Sequence, residues 1–193
     1  MIIEEVIPMD KNERDSRKKK VIEVLNKARS LELRAIHQYM VQHYNLDALD
    51  YGEMAVNLKL IGIDEMRHAE VFADRVKQLG GEPTTDLAGK VEKGQTVEKA
   101  FSFDAALEDN AIAEYNRFAA VCRENGDAIS MKLFETIIED EQAHLDYFDN
   151  VTDHIKNLGQ VYLAQIAGTP SSTGLAHQGF VIRQAGGGTP KVV

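Results

Sequence analysis

The chain has 193 residues, 44% of them hydrophobic, with no Trp and a single cysteine, Cys122. That length suits one domain with a substantial core plus appendages, and one cysteine excludes both an internal disulfide and a Cys-x-x-Cys metal site. The formal net charge of −9 argues against a nucleic-acid partner and favours the accumulation of cations.

Taken in order, the chain opens with MIIEEVIPMDKNERDSRKKK, acids first and without an apolar run of signal-peptide length. No stretch approaches a membrane span, so the expected setting is the cytoplasm, with no membrane partner. Residues 1–9 read as a loose arm and Asp10 as an N-cap. A first helix is predicted from about residue 11 to 45, with Val21, Leu25, Ala28, Glu32, Ala35 or Ile36, and Tyr39 along one face. Glu32 thus falls where a core residue belongs. The run Arg17-Lys18-Lys19-Lys20 reads as a solvated face. A short turn at 45–50 makes the second helix, about 51–79, an antiparallel neighbour that stops at Gly80-Gly81. The aperiodic stretch GEPTTDLAGKVEKGQT is long for a compact domain, and a crossover between the two ends of a bundle accounts for it.

The third helix, about 97–124, carries Phe101, Ala105, Glu108, Ile112 and Tyr115 on its inner stripe. After a break at Asn125-Gly126-Asp127, a fourth runs to about 158, with Phe134, Ile137 or Ile138, Glu141, His144, Leu145 and Phe148 facing inward. Gly159 interrupts it, and 160–167 forms a short fifth helix. From Gly168 the sequence turns rich in Gly, Ser, Thr and Pro, and 168–193 reads as a tail without its own core. The expected organisation is an all-α bundle over 1–167 followed by that tail.

Two copies of one word stand out, Glu65-Met66-Arg67-His68 and Glu141-Gln142-Ala143-His144. Residues three apart share a helix face, so each carboxylate and imidazole can address one point. A lone Glu-x-x-His is common, and a lone helical Glu is usually solvated. Two such words joined by Glu32 and Glu108, on the inner stripes of four helices, match the di-iron carboxylate pattern of ferritin-like bundles. Four buried carboxylates need compensation, which two divalent cations supply, and O/N ligands suit Fe, Mn or Zn. Glu65 and Glu141 are expected to bridge the two metals, with Glu32 and His68 completing one and Glu108 and His144 the other. Tyr39, two turns past Glu32, would need a hydrogen-bond partner if buried, and a metal-ligating carboxylate would serve.

The remaining histidines, His37, His43, His154 and His177, read as structural or solvated, and Cys122 as a buried small hydrophobe. Met66 lies about 100° around the helix from Glu65 and points away from the metals, toward the outside of the bundle. Such a Met is ordinarily an interface packing residue. Gly62, one turn back, is expected to leave room beside it for something flat.

From about Lys20 to Ala167 the chain closely resembles the bacterioferritins, through ELRAIHQYM at 32–40, IDEMRHAE at 63–70, DAALE at 104–108 and DEQAHLDYF at 140–148. Among them it is most similar to those of anaerobic sulfate-reducing bacteria, in its first helix and its GTPSSTG tail. The resemblance implies that Glu32, Glu65, His68, Glu108, Glu141 and His144 are ferroxidase ligands for two iron ions per subunit. It also implies that Met66 is an axial ligand of a haem, haem b or another iron porphyrin, shared between two subunits. A hollow shell of twenty-four subunits, built from two-fold pairs and storing ferric mineral, is implied as well. Lys59 and Leu60 depart from the residues expected near the haem and the inner iron path.

The expected function is iron storage with ferroxidase activity, Fe(II) being oxidised by O₂ or H₂O₂, and with the haem passing electrons from an unidentified donor for iron release. A rubrerythrin-like di-iron peroxidase is the alternative. Typical members of that group carry a rubredoxin site needing four cysteines, which one cysteine cannot build. A zinc-holding structural bundle is the non-enzymatic alternative.

Overall fold

The structure is a computed structural model that describes residues 10–171 and 179–184. The arm expected at 1–9 and His177 lie outside the described residues. Six helices follow one another: α1 (Lys11–Ala48), α2 (Gly52–Gln78), α3 (Val97–Glu124), α4 (Ala128–Leu158), α5 (Gln160–Ile166) and α6 (Phe180–Gln184). The first four make an all-α bundle.

The Asp10 side chain caps α1 by accepting from the Asn12 amide. Instead of stopping near residue 45, α1 continues to Ala48, because Leu46 is still a core residue. The chain turns only at Asp50, whose φ of 65° is left-handed. At the other end, α2 gives way to Gly80 at φ 84°, a conformation that glycine adopts without a Cβ penalty. Asp127 caps α4 through the Ser130 amide and accepts from the Arg75 guanidinium on both oxygens, at 2.9 Å each, tying the end of α2 to the start of α4.

The stretch from 79 to 96 is an extended crossover laid along α1. Asn26 and Arg29 donate to the carbonyls of Glu82 and Thr84, and Arg34 and Gln38 donate to those of Lys90 and Glu92. These partners advance together, so the crossover runs in the direction of α1 and delivers α3 to the opposite end of the bundle. As a result α1 and α4 point one way, α2 and α3 the other.

Two apolar clusters fill the interior. One gathers Tyr39, Leu46, Met54, Leu58, Phe101, Phe148 and Ile155; the other gathers Leu25, Ala28, Phe72, Val76, Tyr115, Phe118 and Phe134. Along each of the first four helices the change from one cluster to the other falls at a buried glutamate: Glu32, Glu65, Glu108 or Glu141. The hydrophobic core is therefore divided in two by a polar layer halfway along the bundle.

Beyond Gly168 the tail, expected to have no core of its own, packs on the bundle where it is described. Thr169 bridges to Tyr51 and accepts from the Glu53 amide, and α6 packs against α2 and α4. Phe180 is only 3% exposed and belongs to the first cluster. A single aromatic anchor on a five-residue helix leaves no periodicity to read, and for that reason the sequence does not show where this segment docks.

Candidate metal centre

In the polar layer the six expected side chains converge. Glu32, Glu65, His68 and Glu141 place one ligand atom each within 4.8 Å of one another, and so do Glu65, Glu108, Glu141 and His144. The two groups share Glu65 and Glu141. All six residues are buried, none more than 5% exposed. Helical spacing sets each imidazole over its own glutamate: His68 Nδ1 lies 3.2 Å from Glu65 Oε2, and His144 Nδ1 lies 3.1 Å from Glu141 Oε2. Each imidazole also reaches the other shared glutamate, at 3.2 Å for His68 to Glu141 and 3.1 Å for His144 to Glu65.

The donor set fits a pair of cations. One oxygen of Glu65 and one of Glu141, on the two residues common to both groups, are buried with only an imidazole nitrogen nearby, at 3.1 and 3.2 Å, and no well-aligned hydrogen bond. Buried polar atoms are rarely left so, and a bridging carboxylate between two metals uses both its oxygens.

Electrostatics say the same. Burial, reinforced by Glu141 and Glu65, pushes the Glu32 carboxyl well above the usual range, and burial with the same two neighbours does so for Glu108. Burial opposes ionisation of Glu65 too, yet the His144 and His68 imidazoles hold its carboxyl below the ordinary range. Burial lowers the affinity of His68 for a proton, but Glu141, Asp140 and Glu32 outweigh it; for His144, Glu65, Asp64 and Glu141 do the same, and both imidazoles are raised well above 6.5. Without metal the layer thus keeps protons on imidazoles and terminal carboxyls to limit its negative charge.

Tyr39 is fully buried and donates its hydroxyl to Glu108 Oε1 rather than to Glu32 on its own helix. Tyr115 does the converse, donating to Glu32 Oε1. Burial and the neighbouring glutamates push both phenols well above 10 and keep them as donors. The outer nitrogens of the imidazoles are crossed too, though unequally: His68 Nε2 is hydrogen-bonded to Asp140 at 3.3 Å, whereas His144 Nε2 lies 3.6 Å from Asp64 and makes no hydrogen bond. Such carboxylates orient the imidazole and raise its basicity toward a metal. Sequence reasoning singled out none of Tyr115, Asp64 and Asp140. A signal was present, since Glu32 and Glu108, Tyr39 and Tyr115, Asp64 and Asp140, Glu65 and Glu141, and His68 and His144 are each separated by 76 positions.

A narrow cleft between α1 and α3, lined by Leu31, Arg34, Asn110 and Ala111 among others, reaches the glutamates. Away from the layer, Met66 is 55% exposed. Gly62, one turn back from it, is buried, and a Cβ there would touch Tyr39 and Met40 of α1 at 3.8 Å, so this glycine serves close helix packing. Leu60 is a core residue at 2% exposure, and the His43 Nδ1 lies 2.7 Å from the Ala55 carbonyl. Among the described residues, no helix is long and apolar enough to cross a membrane.

Comparison with known proteins adds to this geometry. Residues 22–158 match the ferritin family, described as a ferritin-like domain. The bacterioferritin of Desulfovibrio desulfuricans is 64% identical over 168 residues, 87% of this chain and 94% of that one. That of Streptomyces coelicolor is 37% identical over 147 residues, 76% of this chain and 88% of its own. The X-ray structure of the D. desulfuricans protein, determined with its diiron site in different catalytic states, superposes with a TM-score of 0.84, covering 86% of this chain and 98% of that chain at 63% identity. Mycobacterium tuberculosis bacterioferritin BfrA gives 0.73 at 31% identity, covering 83% and 97%.

Proposed function

Because the chain belongs to the ferritin-like family, and within it to the bacterioferritins, we propose that it stores iron and acts as a ferroxidase at the polar layer. The observation that carries this reading is the pair of overlapping buried ligand groups with Glu65 and Glu141 in common. Two Fe(II) ions are the substrate, and each gives up one electron. Together they reduce O₂ to H₂O₂, or H₂O₂ to water, with two protons taken up in either case, and the ferric product passes to storage.

In this proposal Glu65 and Glu141 bridge the ions and fix their separation. Glu32 with His68 completes one position, and Glu108 with His144 the other. Tyr39 and Tyr115 hold the terminal carboxyls from the opposite helix, so each can turn only about a fixed hydrogen bond. Binding requires protons to leave Nδ1 of both imidazoles and the carboxyls of Glu32 and Glu108. The aspartates behind the imidazoles favour a proton on Nε2, which leaves Nδ1 free to ligate. The cleft between α1 and α3 is the route from outside.

The proposal assigns this function to the bundle over 1–167, with 168–193 as an appendage, in a cytoplasmic protein. Met66 is assigned as one of two thioether ligands to a haem, one from each of two subunits, and its exposed sulfur suits that role. When bound, the haem supplies one-electron transfer from an unidentified donor to the stored mineral. A shell of twenty-four subunits built from such pairs is part of the same proposal, and the exposed apolar side chains of Met66, Leu158 and Val161 support subunit contacts.

Stopped-flow oxidation of Fe(II) tests the reading. Glu65→Ala and Glu141→Ala should each abolish the rapid phase while the protein stays folded, because losing one buried carboxylate also relieves repulsion. An unchanged rapid phase in either variant would overturn it.

A further inference from the structure

The surroundings of the polar layer come in matched pairs, and the C-terminal segment breaks the match. Asp140, behind His68, has a side chain 37% exposed, whereas Asp64, behind His144, is 5% exposed. What covers Asp64 is the segment Gly179–Gln184. The Val181 amide donates to Asp64 Oδ2 at 3.0 Å, and Arg67 donates to Oδ1 at 3.0 Å, so the carboxylate is held on both oxygens. Gly179 passes so close that a Cβ there would lie 1.7 Å from Asp64 Oδ1. Next to it the Phe180 ring sits against the imidazole of His144 and the ring of Tyr147, with centroids 6.0 and 5.1 Å away.

We propose that Gly179–Gln184 is a strap that fixes Asp64 and His144 and makes the two metal positions unequal. The position served by Glu108 and His144 binds its ion more tightly than the one served by Glu32 and His68. This rests on the two-metal reading of the layer. The physical reason is preorganisation: a ligand imidazole binds best when its outer nitrogen has a fixed acceptor and its ring cannot swing. For His144 the ring is held, since Phe180 closes its open face, and the Asp64 carboxylate 3.6 Å behind its Nε2, too far for a hydrogen bond, is itself pinned by a backbone amide and an arginine. His68 is hydrogen-bonded at 3.3 Å to Asp140, but that carboxylate is 37% exposed, and His68 has no aromatic lid among the described residues. The strap also lies over the α2 and α4 side of the bundle, opposite the cleft between α1 and α3, so it closes the back of the same position. Gly179 and Val181 are positioning residues here; neither touches the ion.

Titrating the metal-free full-length protein with Zn(II) in a calorimeter tests the proposal. Two ions per chain should bind with distinguishable affinities, the tighter event missing in Glu108→Gln and the weaker one missing in Glu32→Gln. Gly179→Val, which has no room to sit on Asp64, should weaken the tighter event by about tenfold or more and leave the weaker one unchanged. A chain ended after Gln178 should give the same selective loss and serves where the valine variant folds poorly, as judged by circular dichroism. Two equal affinities in the full-length protein, or variants with unaltered isotherms, would overturn the strap. So would an equal weakening of both events, the mark of a merely structural segment. A full-length protein that fails to bind two ions would instead overturn the two-metal reading beneath it.

Discussion

Replacing Glu65 by Gln should strip both ions from the protein, whereas Glu32→Gln should remove only one. The difference follows from geometry, since Glu65 belongs to both ligand groups and Glu32 to one. A carboxamide keeps the shape of the side chain but has one oxygen and no charge, so it cannot bridge two cations. The magnitude can be worked out by linkage. Free ion at one hundred times its dissociation constant stabilises the folded state by about 2.7 kcal/mol per occupied position. With free Zn(II) at that excess over the weaker position, the unaltered protein should therefore gain at least about 5.4 kcal/mol, Glu32→Gln at least about 2.7 kcal/mol from the position it keeps, and Glu65→Gln close to nothing. For a chain of this size that is a rise in melting temperature of about 2–4 °C per kcal/mol, readable by thermal denaturation with and without the metal. Neither metal-free variant should be less stable than the parent by much, because each removes one carboxyl from a cluster of four. A Glu65→Gln protein that kept half of the metal-induced stabilisation, or a Glu32→Gln protein that lost all of it, would refute the bridging assignment.

Met66→Leu keeps volume and apolarity but cannot ligate iron; the purified variant should lose its low-spin haem spectrum and keep rapid Fe(II) oxidation, as absorption and stopped-flow measurements would show. Asp127→Ala removes the α4 cap and leaves the Arg75 guanidinium without its carboxylate, which should lower stability by about 1–2 kcal/mol in urea unfolding. Burial opposes ionisation of Asp127, yet Ser130 and Arg75 hold its carboxyl below the usual range. Its contribution is therefore fully present above the unfolded-state value of about 3.9 and disappears as pH falls through the lower folded-state value, so parent and variant should converge in acid. Burial, with Asp127 nearby, pushes the Cys122 thiol up to about 12. A thiol-specific chromogenic reagent at pH 8 should leave it unmodified until denaturant is added.

Much of the bundle and all six convergent side chains were legible because helical periodicity runs unbroken through them. An acidic residue on an otherwise apolar stripe is a conspicuous misfit, and four of them at matching depth are a site. The tyrosine bonds were legible only in part. Tyr39 shares a face with Glu32, but neighbours along a helix are read more easily than neighbours across it, and its hydroxyl goes to Glu108. Asp64 and Asp140 were hidden for another reason: an aspartate beside a glutamate on a helix looks like ordinary surface charge. Gly62 reads as open space in the sequence, whereas it is buried against Tyr39 and Met40 of α1, a contact across helices that spacing along one helix does not show. The strap had no periodicity to announce it. Its fit depends on one ring and one missing Cβ, features that declare themselves only against a folded surface.

The constant separation of 76 positions between corresponding residues has a consequence for how such a centre can vary. The hairpin of α1 and α2 and the hairpin of α3 and α4 each bring one glutamate, one tyrosine and one Asp-Glu-x-x-His, and the tyrosine–glutamate and histidine–aspartate contacts between them are exchanged for their twins when the hairpins trade places. Two separate copies of a single hairpin would hold the same inventory. They would have to find one another by concentration, whereas the crossover makes their meeting intramolecular. Joining them also releases a constraint. Separate copies must carry the same side chain at both corresponding positions, but one chain need not: the counterpart of the exposed Met66 is Gln142, so a thioether appears on one face only. Covalent linkage thus lets a two-fold arrangement of ligands acquire a front and a back.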